Sequence, residues 1–152
     1  MEGQTPKRLE AQRAGRADAD GRGVGTDGIT ERIVSCAYSV SNALGAGFLE
    51  KVYENALAYE LRQAGLTVRQ QYVMKVRYRG IVVGDYAVDL LVEDSVLVEL
   101  KAAKGIEDVF LAQCLNCLRA SGRKVCLLLN FGAPRLQVRR IVHGFDDREK
   151  VE

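Results

Sequence analysis

The chain has 152 residues, with 22 lysines and arginines against 20 aspartates and glutamates, one histidine and four cysteines. This length fits one domain, and a net charge of only +2 means that nucleic-acid binding would need a local basic patch. A single histidine excludes His-rich metal sites and disfavours a Ser-His-Asp hydrolase. No apolar run approaches about 18 residues and no signal-peptide pattern is present, which predicts a cytoplasmic protein without a membrane span and with reduced thiols.

The N-terminal segment, residues 1–28, contains six glycines, no aromatic residue and scattered charges of both signs. This composition predicts a disordered arm, and an arm that contacts a polyanion is the less favoured alternative. The folded domain is expected over residues 29–145, with a polar tail over 146–152. Its first helix is predicted to begin near Thr30 as N-cap and to end at Gly45, because apolar residues between them recur at helical spacing.

The remaining elements follow from changes of periodicity and from glycines at their ends. Together with the first helix they give the order ααβββαββ, which predicts an α/β domain with a mixed β-sheet flanked by helices. The predicted elements are a helix over residues 48–64, strands over 67–79, 82–92 and 96–102, a helix over 106–120, and strands over 125–130 and 136–142.

The most informative segment is residues 86–101. If residues 93–95 form a hairpin turn, Asp89 lies opposite Glu99, and Lys101 shares the face of Glu99 because it is two residues further along the strand. Two carboxylates and an ammonium group are therefore predicted to converge on one face. The opposite face is predicted to be apolar and to consist of Val88, Leu90, Val92, Val96, Val98 and Leu100.

Opposed carboxylates point to a metal site. Like charges directly across a sheet destabilise it by up to ~1 kcal/mol, and a hard divalent cation removes that penalty. Mg²⁺ is typically held by one or two carboxylates together with water and substrate phosphate, and a neighbouring lysine can orient the attacking water. The alternative is a surface ion pair between Glu99 and Lys101 with a solvated Asp89. The strongly apolar strands around these residues favour the metal site.

The second helix adds a further carboxylate. Glu50 lies at the edge of its apolar stripe and Glu60 lies inside it, about 15 Å apart along a helix, so the two cannot serve one metal. We assign Glu50 to the site, because the helix dipole also favours an anion at its N-terminus, and Glu60 to a structural salt bridge. The predicted stripe consists of Leu49, Val52, Tyr53, Ala56, Leu57, Leu61 and Ala64.

The third helix carries Gln113 on a face shared with Ile106, Phe110 and Cys117. Its amide could hydrogen-bond a metal-bound water or a phosphate oxygen, or it could be a buried amide that bonds only to backbone.

Taken together, these residues resemble the PD-(D/E)XK nuclease superfamily, whose restriction-endonuclease-like core order αβββαβ matches residues 48–130. Within it, and within the RecB-like and lambda-exonuclease-like fold, the chain is most similar to the family named for its GxxExxY motif. That motif is formed by Gly47, Glu50 and Tyr53. The other matching motifs lie at residues 86–92, 98–101, 112–116 and 128–132, and the resemblance covers residues 29–142.

The resemblance implies a Mg²⁺- or Mn²⁺-dependent nuclease that hydrolyses DNA phosphodiester bonds. It implies Asp89 and Glu99 as metal ligands, Glu50 as an additional metal-binding carboxylate, Lys101 as the catalytic lysine and Gln113 as a further catalytic residue. Two positions depart from the family.

These departures are Phe110, where the family often has histidine, and Cys117, where RecB-like exonucleases have tyrosine. They keep open an alternative, a catalytically weak or inactive nuclease fold that binds nucleic acid or a protein partner.

Substrate contacts are assigned to Tyr53, Arg77, Lys104 and Arg119. The three basic side chains among them would form a phosphate-binding rim near the carboxylates. An ordinary solvated surface is the alternative for the basic residues. The expected partner is DNA, with RNA as a further option, the expected role is DNA repair, and oligomerisation is left open. The cysteines, Cys36, Cys114, Cys117 and Cys126, are predicted to be free thiols and not ligands of zinc or an iron–sulfur cluster.

Overall fold

The computed structural model describes residues 25–143. Most of the predicted arm and the whole of the predicted tail lie outside these residues. The predicted order ααβββαββ is confirmed, with boundaries within two residues of prediction for every element except the first helix. The elements are the helices α1 (Thr26–Leu44), α2 (Glu50–Gln63) and α3 (Asp108–Ser121) and the strands β1 (Val68–Tyr78), β2 (Ile81–Val92), β3 (Val96–Lys101), β4 (Val125–Asn130) and β5 (Gln137–Val142).

The first helix begins at Thr26, so the prediction of Thr30 as its N-cap is wrong. Gly25 occupies the N-cap position, and the hydroxyl of Thr30 donates a hydrogen bond to the carbonyl of Asp27 within the helix. Asp27 is favourable in the first turn because of the helix dipole, and it forms a 2.8 Å ion pair with Arg140 of β5. Residues 26–28 therefore belong to the helix and not to the arm.

The five strands form one mixed sheet in the order β1-β2-β3-β4-β5. β3 and β4 are parallel and are connected through α3, whereas the other neighbouring pairs are antiparallel. α1 and α2 cover one face of the sheet, where Ile33, Leu57 and Leu100 are fully buried. α3 covers the other face, where Leu97 and Leu118 belong to a second buried cluster. The predicted α/β architecture, a mixed sheet between helices, is confirmed.

The β2–β3 hairpin has the predicted register. Glu93 and Asp94 form its turn with positive φ angles of 52° and 53°, a backbone geometry that matches the twist of two antiparallel strands. Side-chain bonds hold this turn: the Glu93 carboxylate accepts hydrogen bonds from Thr67, and Asp94 forms a 2.7 Å ion pair with Arg123. The confirmed pairs are Leu90 with Val98, Leu91 with Leu97, and Val92 with Val96.

Strand alternation is interrupted at Asp89. Gln71, its neighbour on β1, has a positive φ of 53°, and the β1–β2 ladder omits this pair. As a result, Val88 packs in the cluster beneath α3 and not with Leu90, so its predicted position on the apolar face is wrong. The exchange of faces coincides with the left-handed backbone at Gln71 and with the pair that the ladder omits, at the position of the first carboxylate.

Within the described part of the chain, no helix combines the length and the apolar composition needed to cross a membrane.

Candidate active site

Asp89 and Glu99 lie beside each other, as the hairpin register predicts. The regular ladder between β2 and β3 ends at Leu90 and Val98, and side-chain bonds replace it beyond that point. The Asp89 amide donates to Glu99 Oε1 at 3.0 Å, and the Leu100 amide donates to Asp89 Oδ2 at 2.8 Å. Each carboxylate thus accepts a hydrogen bond from a main-chain N–H of the other strand.

Both carboxyl groups hold protons more tightly than usual. Glu99 is only 8% exposed, and burial together with the charge of Asp89 raises its pKa to about 8. Burial also raises the pKa of Asp89, although the hydrogen bond from Leu100 opposes this shift. A hydrogen bond between the two carboxyl groups further raises the pKa of Glu99 and lowers that of Asp89. The pair therefore shares a proton near neutral pH.

Glu50 is the first residue of α2 and interacts electrostatically with Asp89. Its pKa is raised by partial burial and by Asp89, and it is lowered by Lys101. Residues 25–143 contain no group of three or more acidic, histidine or cysteine side chains placed to share one metal. The role of Glu50 as an additional metal-binding carboxylate stays a prediction.

Lys101 ends β3 on the same side as Glu99. Its Nζ lies 4.7 Å from the centroid of the Phe110 ring, a cation–π contact, and its charge lowers the pKa of Glu99. Glu99, Lys101 and Gln113 line one cavity of about 320 Å³, together with Cys117. The structure therefore brings Gln113 of α3 to the same cavity as the lysine and one carboxylate.

Sequence reasoning missed two residues that support Asp89. Glu54 is only 3% exposed, and its carboxylate accepts hydrogen bonds from Lys51, Gln70 and Gln71 at 2.9–3.1 Å. The Gln71 amide also donates to Asp89 Oδ1 at 3.2 Å, so it links α2 to the first carboxylate. The available signal for Glu54 was its position one helical turn after Glu50.

The buried stripe of α2 is rotated relative to its prediction. Leu49 and Val52 are exposed, whereas Glu54 and Ala58 are buried. Glu60 is half-buried near Cys36 and forms no ion pair among the residues that the structure covers, contrary to its predicted salt bridge. The partners of Glu54 explain the rotation, because β1 supplies hydrogen bonds to a carboxylate that faces the sheet.

Tyr53 is fully buried, so its assignment to substrate contact is wrong. Its ring stacks on Phe131 at 4.8 Å between centroids. Its hydroxyl accepts a hydrogen bond from the Phe48 amide at 3.1 Å and donates one to the carbonyl of Gly45. Tyr53 thus fixes the loop that precedes Glu50. Gly47 in that loop has a φ of +117°, a conformation that requires glycine.

We expect Tyr53→Phe to lower the free energy of unfolding by about 1–3 kcal/mol, because the loop loses both hydrogen bonds to the hydroxyl. Urea unfolding followed by circular dichroism measures this change. Tyr59→Phe on the same helix is the control, since Tyr59 is 61% exposed and its replacement should cost less than about 0.5 kcal/mol. Equal losses in the two variants would contradict the structural role given to Tyr53.

The basic residues assigned to substrate contact divide into two groups. Arg77 and Arg119 line a second cavity of about 520 Å³, which adjoins the first at Tyr86. Lys104 is exposed in the loop after β3 and lines neither cavity.

None of the four cysteines forms a disulfide within residues 25–143: Cys114, Cys117 and Cys126 are buried and Cys36 is half-buried. Burial raises the pKa of Cys117 to about 12, so the thiol that faces the carboxylates is neutral at physiological pH.

Comparisons with known proteins bear on the family. Residues 27–141 match the profile of the PD-(D/E)XK nuclease superfamily. A solved structure of an alkaline exonuclease from Laribacter hongkongensis is 14% identical, with a TM-score of 0.47 over 99% of this chain and 87% of that chain. The solved structure of SSO0001 is 16% identical, with a TM-score of 0.47 over 99% and 80% of the two chains. No curated protein sequence gave a significant match.

Proposed function

Because this chain belongs to the PD-(D/E)XK nuclease superfamily, we propose that it is a Mg²⁺- or Mn²⁺-dependent nuclease that hydrolyses phosphodiester bonds in DNA. The observation that carries the proposal is the pair of half-buried Asp89 and buried Glu99, with raised pKa values, beside the ammonium group of Lys101. The proposal includes membership of the GxxExxY family, which rests on Gly47, Glu50 and Tyr53.

The carboxylate pair fits a hard divalent cation. The charge of Asp89 contributes to the raised pKa of Glu99, so the two carboxylates repel each other when both are ionised. A divalent cation would neutralise both charges, whereas a proton neutralises only one. Asp89 and Glu99 would hold the metal, with water and substrate phosphate as its other ligands, a pattern typical of Mg²⁺. When bound, the metal supplies Lewis-acid assistance and a nucleophile near neutral pH.

The surrounding side chains position the reactants. Lys101 orients the attacking water and stabilises negative charge that develops on the phosphate. Gln113 lines the same cavity and donates a hydrogen bond to a phosphate oxygen, while Glu50 adjusts the charge around the pair. Arg77 and Arg119 bind the phosphates that flank the scissile bond, and Lys104 contacts the backbone further away.

The test is cleavage of labelled linear and closed-circular DNA in the presence of Mg²⁺, Mn²⁺ or EDTA. We expect metal-dependent cleavage by the wild type and none by Asp89→Asn. Glu31→Gln, an exposed change on α1, is the matched control and should cleave at the wild-type rate. If the wild type cuts no DNA with either metal, the proposal fails, and the chain is a nuclease fold used for binding.

Phe110 positions the catalytic lysine through the contact between its ring and Lys101 Nζ. We expect Phe110→Leu to reduce the single-turnover cleavage rate about 2- to 30-fold, since a partly buried cation–π contact contributes about 0.5–2 kcal/mol. Phe110→Tyr keeps the aromatic face and should retain most of the rate. A Phe110→Leu protein that cleaves as fast as Phe110→Tyr would show that the ring does not position Lys101.

A further inference from the structure

A basic groove lies between the β1–β2 hairpin and α3. It has a volume of about 520 Å³, and we call it the hairpin groove; its polar and aromatic lining consists of Lys75, Arg77, Tyr86, Asn116 and Arg119. This volume falls within the range of about 300–1,000 Å³ that is usual for small-ligand sites. The groove is therefore sized for a single nucleotide or two and not for a double helix.

Two of the three cationic side chains in the hairpin groove are unpaired. Its lining contains no carboxylate, but Lys75 forms a 3.2 Å ion pair with Asp85, which lines the adjoining cavity. Arg77 and Arg119 are exposed, and within residues 25–143 neither guanidinium forms an ion pair or a side-chain hydrogen bond. By contrast, Arg123 and Arg140 each form an ion pair with an aspartate. Two unpaired guanidinium groups at one groove form a binding site for a phosphate backbone.

Tyr86 joins the hairpin groove to the cavity that contains Glu99 and Lys101, since it lines both. Its side chain is 38% exposed, and its hydroxyl accepts a 3.4 Å hydrogen bond from Asn116, which ties the ring to α3. An aromatic ring beside a basic groove is a platform on which an unpaired base can stack, a contact that contributes about 1–3 kcal/mol per base.

We infer that the chain acts on single-stranded nucleic acid, and that the nucleotide next to the scissile phosphate lies in the hairpin groove. Its phosphate binds Arg77 and Arg119, and its base stacks on Tyr86. This inference rests on the proposed nuclease function. A duplex is a poor fit, because its bases are stacked and paired with each other and cannot reach a ring within a groove of this size.

Fluorescence anisotropy in EDTA tests the inference without cleavage, using the full chain and labelled 12-mers: dT12, rU12 and a mixed-sequence DNA duplex at fixed salt. We expect single strands to bind at least about 10-fold more tightly than the duplex, as stacking on Tyr86 predicts. Arg77→Gln/Arg119→Gln and Tyr86→Ala should each weaken single-strand binding about 5- to 50-fold.

Arg135→Gln/Arg139→Gln is the charge-matched control, because both residues are exposed outside the groove lining. It should change binding by less than about threefold at the same salt. Equal affinity for rU12 and dT12 supports recognition through phosphate contacts and base stacking, which RNA and DNA share. Tighter binding of dT12 supports a groove that is specific for DNA. Tighter duplex binding, or equal losses in the groove variant and the control, would overturn the inference.

Cleavage with Mg²⁺ or Mn²⁺, measured separately, distinguishes this inference from the proposed function. If duplex DNA is cut and the groove variants cut it normally, the inference fails and the nuclease function stands. If the wild type cuts nothing but binds single strands through Arg77, Arg119 and Tyr86, the nuclease function fails and the groove assignment stands.

Discussion

Replacement of Lys101 by methionine should reduce metal-dependent DNA cleavage about 10²- to 10⁴-fold, the range for removing a group that stabilises charge or transfers a proton. Methionine retains most of the aliphatic stem and can keep contact with Phe110, so the fold should persist. The carboxylate ligands remain, so metal should still bind. Single-turnover cleavage rates and Mn²⁺ affinity, measured on the same preparations, separate loss of chemistry from loss of metal.

Lys124→Met is the matched control, because Lys124 is exposed and lies outside both cavities. It should cleave within about twofold of the wild type, as expected for a surface substitution. A Lys101→Met protein that keeps more than about one tenth of the wild-type rate would contradict the catalytic role of the lysine.

Glu99→Gln should abolish cleavage and, in the absence of metal, stabilise the protein at alkaline pH. The pKa of Glu99 is raised from 4.5 to about 8 on folding, so between these values the native state holds a proton that the unfolded chain has released. Stability is therefore greatest below about pH 4.5, falls as the pH rises, and reaches its minimum above about pH 8. For a group that is 8% exposed, the loss is on the order of a few kcal/mol.

Urea unfolding in EDTA at pH 5.5, 7 and 8.5 measures this dependence. The wild type and the Glu31→Gln control should lose stability across the series, whereas Glu99→Gln, which carries no titrating proton, should lose much less and exceed the wild type at pH 8.5. Mg²⁺ should restore the wild type at pH 8.5, since it binds only the native state, and should leave the variant unchanged. Parallel pH profiles for wild type and Glu99→Gln would contradict the buried, protonated carboxyl group.

The sequence was sufficient to predict the β2–β3 hairpin and the carboxylate pair. Apolar residues that alternate on either side of a short turn specify one register, because a slip by one residue would expose the whole buried face. Asp89 and Glu99 then stand out as charges within buried strands. These signals are local in sequence, and the structure confirms the register.

The supporting network around Asp89 could not be predicted in the same way. It depends on the left-handed backbone of Gln71, which no glycine or turn motif marks. It also depends on a tertiary contact between Gln71 and Glu54, which lie on different elements. A carboxylate on the buried side of α2 is unfavourable unless it has a hydrogen-bond partner such as Gln71. Hydrophobic periodicity alone therefore predicts that Val52 is buried, whereas the structure buries Glu54.

Tyr53 illustrates a different limit. Its place in the GxxExxY motif indicates that the residue matters, but a motif does not distinguish a side chain that contacts substrate from one that holds the loop before Glu50. Only the buried hydroxyl, bonded to Gly45 and Phe48, decides between these roles.

The central claim, that Asp89 and Glu99 hold a divalent cation in place of their shared proton, is tested most directly by calorimetric titration of Mn²⁺. The metal-free wild type, Asp89→Asn and Glu99→Gln are compared at pH 7 in two buffers of different ionisation enthalpy. We expect one site in the wild type, release of about one proton per Mn²⁺, and loss of that site in both variants. Equal Mn²⁺ binding by all three proteins, without proton release, would contradict the claim.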